Sequence, residues 1–310
     1  MANAESVLTS GAAVPAVRLL PSTRRLVVWS AALGIVVLLA LLQGYLPSGS
    51  LLPSHALPSG SGVFLAVFFA ALLCEYVDSA LGMGYGTTLT PILIGFGVEP
   101  LLIVPAILIS EFVTGVGAGF LHHRDGNVDF IRDRRAQRVT ILLSALSLVG
   151  TIGAVVLAVN IRGSTLKLAI AGIIVFMGVF ILATLRRQLR FRASHIVALG
   201  AVAAFNKGLS GGGYGPLVTG GQVVSGVSPK HAVAITCVAE AFTCLVGIVA
   251  YAIAKGAPAF DLVVPLTLGA ALSVPMATFT VSRLKESVMR GGVGLVTLAL
   301  GVWTLIRALS

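Results

Sequence analysis

Four ionisable residues, Asp78, Glu111, Lys207 and Glu240, stand within or at breaks in long apolar stretches of this 310-residue chain. A charge at the centre of a bilayer costs about 3 kcal/mol on insertion scales, so such groups pair with one another or line a wet cavity. Asp78 and Lys207 each precede a glycine cluster by four residues: Gly82-Met83-Gly84-Tyr85-Gly86 in one case and Gly211-Gly212-Gly213-Tyr214-Gly215 in the other. Glycine lets a backbone turn sharply, and a helix that begins just beyond it turns its unpaired N–H groups and positive dipole end toward the break. The chemistry expected there is the binding of an anion. Lys207 would add a full positive charge, and Asp78 would pair with it when no anion is bound. The expected binding set is Asp78, Ser79, Gly82, Gly84, Tyr85, Gly86 and Thr87 from the first cluster. The second cluster contributes Asn206, Lys207, Ser210, Gly211, Gly212, Gly213, Tyr214 and Gly215.

Glu111 and Glu240 sit near the midpoints of helices that begin at Pro100 and Pro229. A carboxyl group buried at that depth favours its protonated form, which suits a proton carrier; a protonated acid bonded to a neighbouring helix is the structural alternative. Tyr85 and Tyr214 either donate to cargo or fill space beside the glycines. The glycines themselves have a packing alternative, as small residues at a helix interface, but two pentapeptides with one ending argue for a shared backbone break. Gly-Tyr-Gly also occurs in potassium filters, yet neither copy has the preceding Thr-Val, and two copies cannot build a four-fold ring. His122 and His123 end a span beside an arginine-rich loop, and Arg132-Asp133-Arg134-Arg135 is suited to lipid headgroups. Cys74, Cys237 and Cys244 lie in apolar runs without C-x-x-C spacing, so neither a disulfide framework nor a metal site is expected. Hydrolase and Walker patterns are absent; no enzymatic activity and no cofactor are expected.

The elements that must position these groups are transmembrane helices. With 57% hydrophobic residues, 10% charged residues and a mean hydropathy of +1.01, the chain needs lipid as solvent. Spans are expected over 26–46, 62–81, 99–121, 137–159, 165–185, 194–209, 229–254, 259–282 and 288–308. Two shorter pieces, 84–97 and 213–225, reach only about 20 Å at a rise of 1.5 Å per residue and are expected to be half-helices, re-entrant or paired into a crossing. The net charge of +10 sits in loops, so it points to topology and lipid, not to nucleic acid. The basic clusters around Arg24, Arg134, Arg187 and Arg283 place those loops and the N-terminus in the cytoplasm, the membrane being the bacterial inner one. Arg24-Arg25 before an apolar run resembles a twin-arginine signal, but the run is long enough to span and is expected to be the first helix.

Slid against itself by 129 residues, the chain matches again. The glycine clusters coincide, as do Gly97 with Gly226, Pro100 with Pro229 and Glu111 with Glu240. The expected organisation is a cytoplasmic tail (1–21), an extra first span with its loop (22–59), a first repeat (60–185), a basic linker (186–193) and a second repeat (194–310). The charge partition starts the copies on opposite faces, which makes them inverted. Inverted repeats with glycine-broken helices at matching positions indicate a transporter whose site lies at the repeat interface near the midplane.

The segments Asp78-Ser79-Ala80-Leu81-Gly82-Met83-Gly84-Tyr85-Gly86, with Pro91, and Asn206-Lys207-Gly208-Leu209-Ser210-Gly211-Gly212-Gly213-Tyr214-Gly215 resemble those of the sulfite exporter TauE/SafE family. The likeness covers residues 60–308. It implies a polytopic transporter with duplicated halves whose cargo is sulfite, a sulfonate or a related sulfur anion. Other small anions such as carboxylates, or a channel mechanism, are the alternatives. Further partners expected are the lipid bilayer, protons and a second copy of the chain.

Overall fold

The computed structural model describes residues 61–124, 126, 128–184, 193–224, 227, 229–280 and 286–309. The tail, the first span and nearly all of the basic linker fall outside them. Ten helices and no strand occur among the described residues. In chain order they are α1 Ser61–Leu81, α2 Tyr85–Gly95, α3 Pro100–Arg124, α4 Arg134–Asn160, α5 Gly163–Thr184, α6 Ala193–Ser210, α7 Tyr214–Val224, α8 Pro229–Lys255, α9 Phe260–Thr280 and α10 Glu286–Leu309. The molecule is an all-helical polytopic membrane protein. Within α1, α3, α4, α5 and α8, five segments are long and apolar enough to cross a bilayer, with α9 and α10 carrying shorter apolar stretches.

Local chemistry places the boundaries. Pro100 and Pro229 open α3 and α8, where the missing proline N–H would have no intrahelical partner anyway. Asp133 caps α4 by accepting from the Arg135 and Ala136 amides at 2.9 and 3.1 Å. The short helices α2 and α7 have 11 residues each, about 16 Å of rise, half of a hydrocarbon layer. Both end in the same way: Val98 N donates to Leu93 O at 3.1 Å and Val227 N to Gln222 O at 3.0 Å, again 129 residues apart.

Packing follows the same numerical relation. Helix α1 packs on α9 and α6 on α4; α3 packs on α9 and α8 on α4; α3 meets α8, and α5 meets α10. Small residues let these backbones approach. Gly269 lies against Phe68 and Ala71, Gly150 against Ala201 and Ala204, and Gly115 against Cys237 and Ala241. In lipid, where apolar surface gains nothing by leaving the solvent, such close contact is what holds helices together. The largest buried cluster joins Val67, Ile103, Ile107, Ile170, Leu262 and Leu266 from five helices of both halves.

Candidate functional site

The two glycine breaks touch. Gly82 and Gly84, between α1 and α2, have φ of 68° and 132°; Gly211 and Gly213, between α6 and α7, have 75° and 80°. These angles are left-handed, which L side chains adopt only with strain. Gly86 lies so close to the Gly211 carbonyl, and Gly215 to the Gly82 carbonyl, that a Cβ on either would collide with that oxygen. Thr90 Oγ1 donates to Ser210 O at 2.8 Å, and Thr219 Oγ1 donates to Gly82 O at the longer distance of 3.5 Å. Gly82 with Gly211, Gly86 with Gly215 and Thr90 with Thr219 are all separated by 129 residues, so each half grips the other through equivalent groups.

Lys207, at 0% exposure, is the one fully buried cation among the described residues. Its ammonium donates to Glu111 Oε2 and, at 2.8 Å, to Glu240 Oε1. The two glutamates occupy equivalent places in the repeat and meet on one lysine. Asp78, expected to pair with Lys207 in the empty state, is bonded elsewhere: its Oδ1 accepts from Tyr85 N at 3.2 Å. The reason is the half-helix itself, whose unpaired first amide and positive end attract the nearest carboxylate, leaving Lys207 to the two glutamates.

Asp78, Glu111 and Glu240 line a recess completed by Glu75, Ser79, Thr114, Gly115, Ala118 and Cys237. Its volume of about 10 Å³ admits roughly one water, too little for a polyatomic anion. The remaining expected residues surround the breaks. Ser210 Oγ donates to Asn206 O at 2.9 Å and accepts from Gly212 N at 3.2 Å, while Thr87 Oγ1 donates to Gly84 O at 3.3 Å. The Tyr85 hydroxyl bonds Ser110 Oγ at 2.7 Å, and neither it nor Tyr214 lines the recess. The Tyr214 hydroxyl is buried without a hydrogen-bond partner among the described residues. His123 Nδ1 meets Val128 O at 3.3 Å, a loop contact beside the arginine-rich segment. No cluster of three metal-ligating side chains occurs among the described residues.

Glu75 was the residue that sequence reasoning passed over. It is 3% exposed and lies one turn before Asp78 on the same face of α1. A complete search of the span for ionisable groups would have found it. Thr114 and Cys237 carried no such signal, because a threonine or cysteine in a transmembrane helix is ordinary.

Comparison with known proteins agrees with this architecture. The family model described as sulfite exporter TauE/SafE matches residues 67–304. A similar protein is the probable membrane transporter protein YtnM of Bacillus subtilis (strain 168), 27% identical over 256 residues, which cover 78% of this chain and 83% of the relative. No solved structure matches the chain significantly. The match to the family model spans most of the chain and both glycine breaks, and this integral membrane protein therefore belongs to the sulfite exporter TauE/SafE family of membrane transporters, not to a family of enzymes.

Proposed function

We propose that this protein is a secondary transporter that moves a small sulfur-containing anion, such as sulfite or an organosulfonate, across the bacterial inner membrane by alternating access. The observation that carries the reading is a buried lysine held between equivalent glutamates where two glycine breaks meet. An oxyanion offers the same acceptor chemistry as a carboxylate and would replace one glutamate on the ammonium. Protonation of Glu111 or Glu240 would release that glutamate, so proton and anion would load together. The equivalent contacts across the breaks support halves related by a two-fold axis in the membrane plane, with one half rocking against the other. The N-terminus would then be cytoplasmic.

Reconstitution in liposomes with labelled sulfite, thiosulfate, sulfate and sulfoacetate tests the proposal. Native protein should give saturable counterflow of at least one sulfur anion. Lys207→Ala should lower it by about thirtyfold or more, since removing one partner of a buried charge pair typically costs several kcal/mol. Carboxylate counterflow with no sulfur anion moved would change the cargo class, and conductance without saturable counterflow would make the protein a channel.

A further inference from the structure

Four carboxyl groups, those of Glu75, Asp78, Glu111 and Glu240, line a recess near a single buried ammonium. They cannot all carry charge in so dry a place, because the penalty for an unpaired buried carboxylate exceeds what one lysine returns. The geometry separates them. Glu111 and Glu240 both bond Lys207. Asp78 has the amide at the α2 N-terminus, which favours its ionised form.

Glu75 has neither. Its Oε1 accepts from Ser79 Oγ at 2.8 Å, and its Oε2 is buried without a hydrogen-bond partner among the described residues. The groups facing it are Cys74 and Asp78 on α1, Tyr85 on α2, Glu111 on α3 and Cys237 and Glu240 on α8. Helix α9, packed along α1, has no titratable residue beyond Asp261 in its first turn, and α10 has Glu286, Arg290 and Arg307 only near its ends. Every side chain facing Glu75 is therefore an acid or a neutral group. A carboxyl group so surrounded keeps its proton, and a recess the size of one water supplies the acceptor through which that proton arrives and leaves.

We infer that Glu75 is a proton-binding site of the transport cycle, loaded in the state described here and exchanging its proton with water in the recess shared with Asp78, Glu111 and Glu240. The step forms one O–H bond on Glu75 Oε2 with a proton taken from water on one side of the membrane, and later returns that proton to water on the other. Nothing is oxidised or reduced. The inference rests on the transporter reading above and gives the coupling ion a site distinct from the Lys207 cluster.

The test uses full-length protein in proteoliposomes, measuring counterflow of the best sulfur anion, pH-gradient-driven accumulation and infrared absorption of protonated carboxyl groups. Glu75→Gln preserves shape and the bond from Ser79. It should retain counterflow, lose about tenfold or more of the pH-driven accumulation, as expected for removing a coupling site, and lose a carboxylic-acid carbonyl band present in native protein. Accumulation and band both unchanged in Glu75→Gln would overturn the inference while leaving the transporter reading intact. The same holds if native protein shows counterflow but no proton movement. Absence of counterflow in native protein would instead remove the transporter reading, and the infrared band would still decide whether Glu75 holds a proton. A dependence on sodium that Glu75→Gln abolishes would make the site one for a metal cation, against the inference. Should Glu75→Gln fail to fold, Ser79→Ala, which removes only the hydroxyl donor, should shift the carbonyl band; no shift counts against the assignment.

Discussion

At the scale of single residues, the buried charges carry the most specific consequences. Glu111 and Glu240 share one ammonium, so the two are expected to act as alternatives: each single Gln substitution should weaken the response of transport to an imposed pH gradient by about tenfold, a change of about 1.4 kcal/mol, and the double substitution should abolish it. Rates in both variants that follow the gradient as native protein does would remove these glutamates from coupling. Outside the membrane, Asp129 accepts from the Arg132 and Ile131 amides, both at 3.0 Å, and the Arg132 amide foremost holds its carboxyl below the ordinary carboxylate value. A group with a lowered pKa in the folded state stabilises it above the ordinary value of 3.8 and loses that effect as pH falls through the folded value. Amide exchange at Ile131 and Arg132, corrected for intrinsic rates, should therefore accelerate selectively in that acid range. Asp129→Asn should remove the dependence.

At the scale of elements, the glycine breaks are sites of close backbone approach as well as turns. A methyl group on Gly86 or Gly215 would drive into a carbonyl of the opposite break, and neither backbone can yield without moving a helix. Gly86→Ala and Gly215→Ala should each cost about 3 kcal/mol or more, the upper range for overpacking, visible as loss of the folded peak on detergent gel filtration. Gly153 and Gly172, in α4 and α5, have open space where a Cβ would stand. Alanine at either should be tolerated and should raise thermal stability slightly, since glycine within a helix is worth up to about 1 kcal/mol less than alanine.

At the scale of the whole molecule, the matched packing partners make a claim about sidedness. Gly126, in the loop between α3 and α4, and Gly256, in the loop between α8 and α9, both have positive φ, 72° and 84°, and fall at nearly equivalent points of the two halves. Inverted halves put these loops on opposite faces of the membrane. In a background with Cys74, Cys237 and Cys244 replaced, an impermeant thiol reagent applied to intact cells should label Gly256→Cys within minutes and Gly126→Cys only after permeabilisation. Labelling of both from one side would defeat the inverted arrangement and, with it, the rocking proposed for transport.

Much of this was legible in the linear chain, and for identifiable reasons. Apolar runs the length of a bilayer, ended by Pro100, Pro229 and charged loops, allow few structures but spanning helices; the described elements fall close to the expected ones. The short helices α2 and α7 followed from glycine clusters 129 residues apart, because a backbone angle open only to glycine leaves its mark in residue type. The choice among partners was not legible. Asp78 and Lys207 occupy equivalent positions and have opposite charge, yet they are not bonded to each other, because pairing depends on where three helices and a half-helix N-terminus bring their groups in space. Glu75 became distinctive only once packing showed that no cation reaches it. Sequence determined the solvent, the helices and the duplication through local length, composition and backbone freedom; only the tertiary structure decided which buried charges meet, since that is settled by distances between residues far apart in the chain.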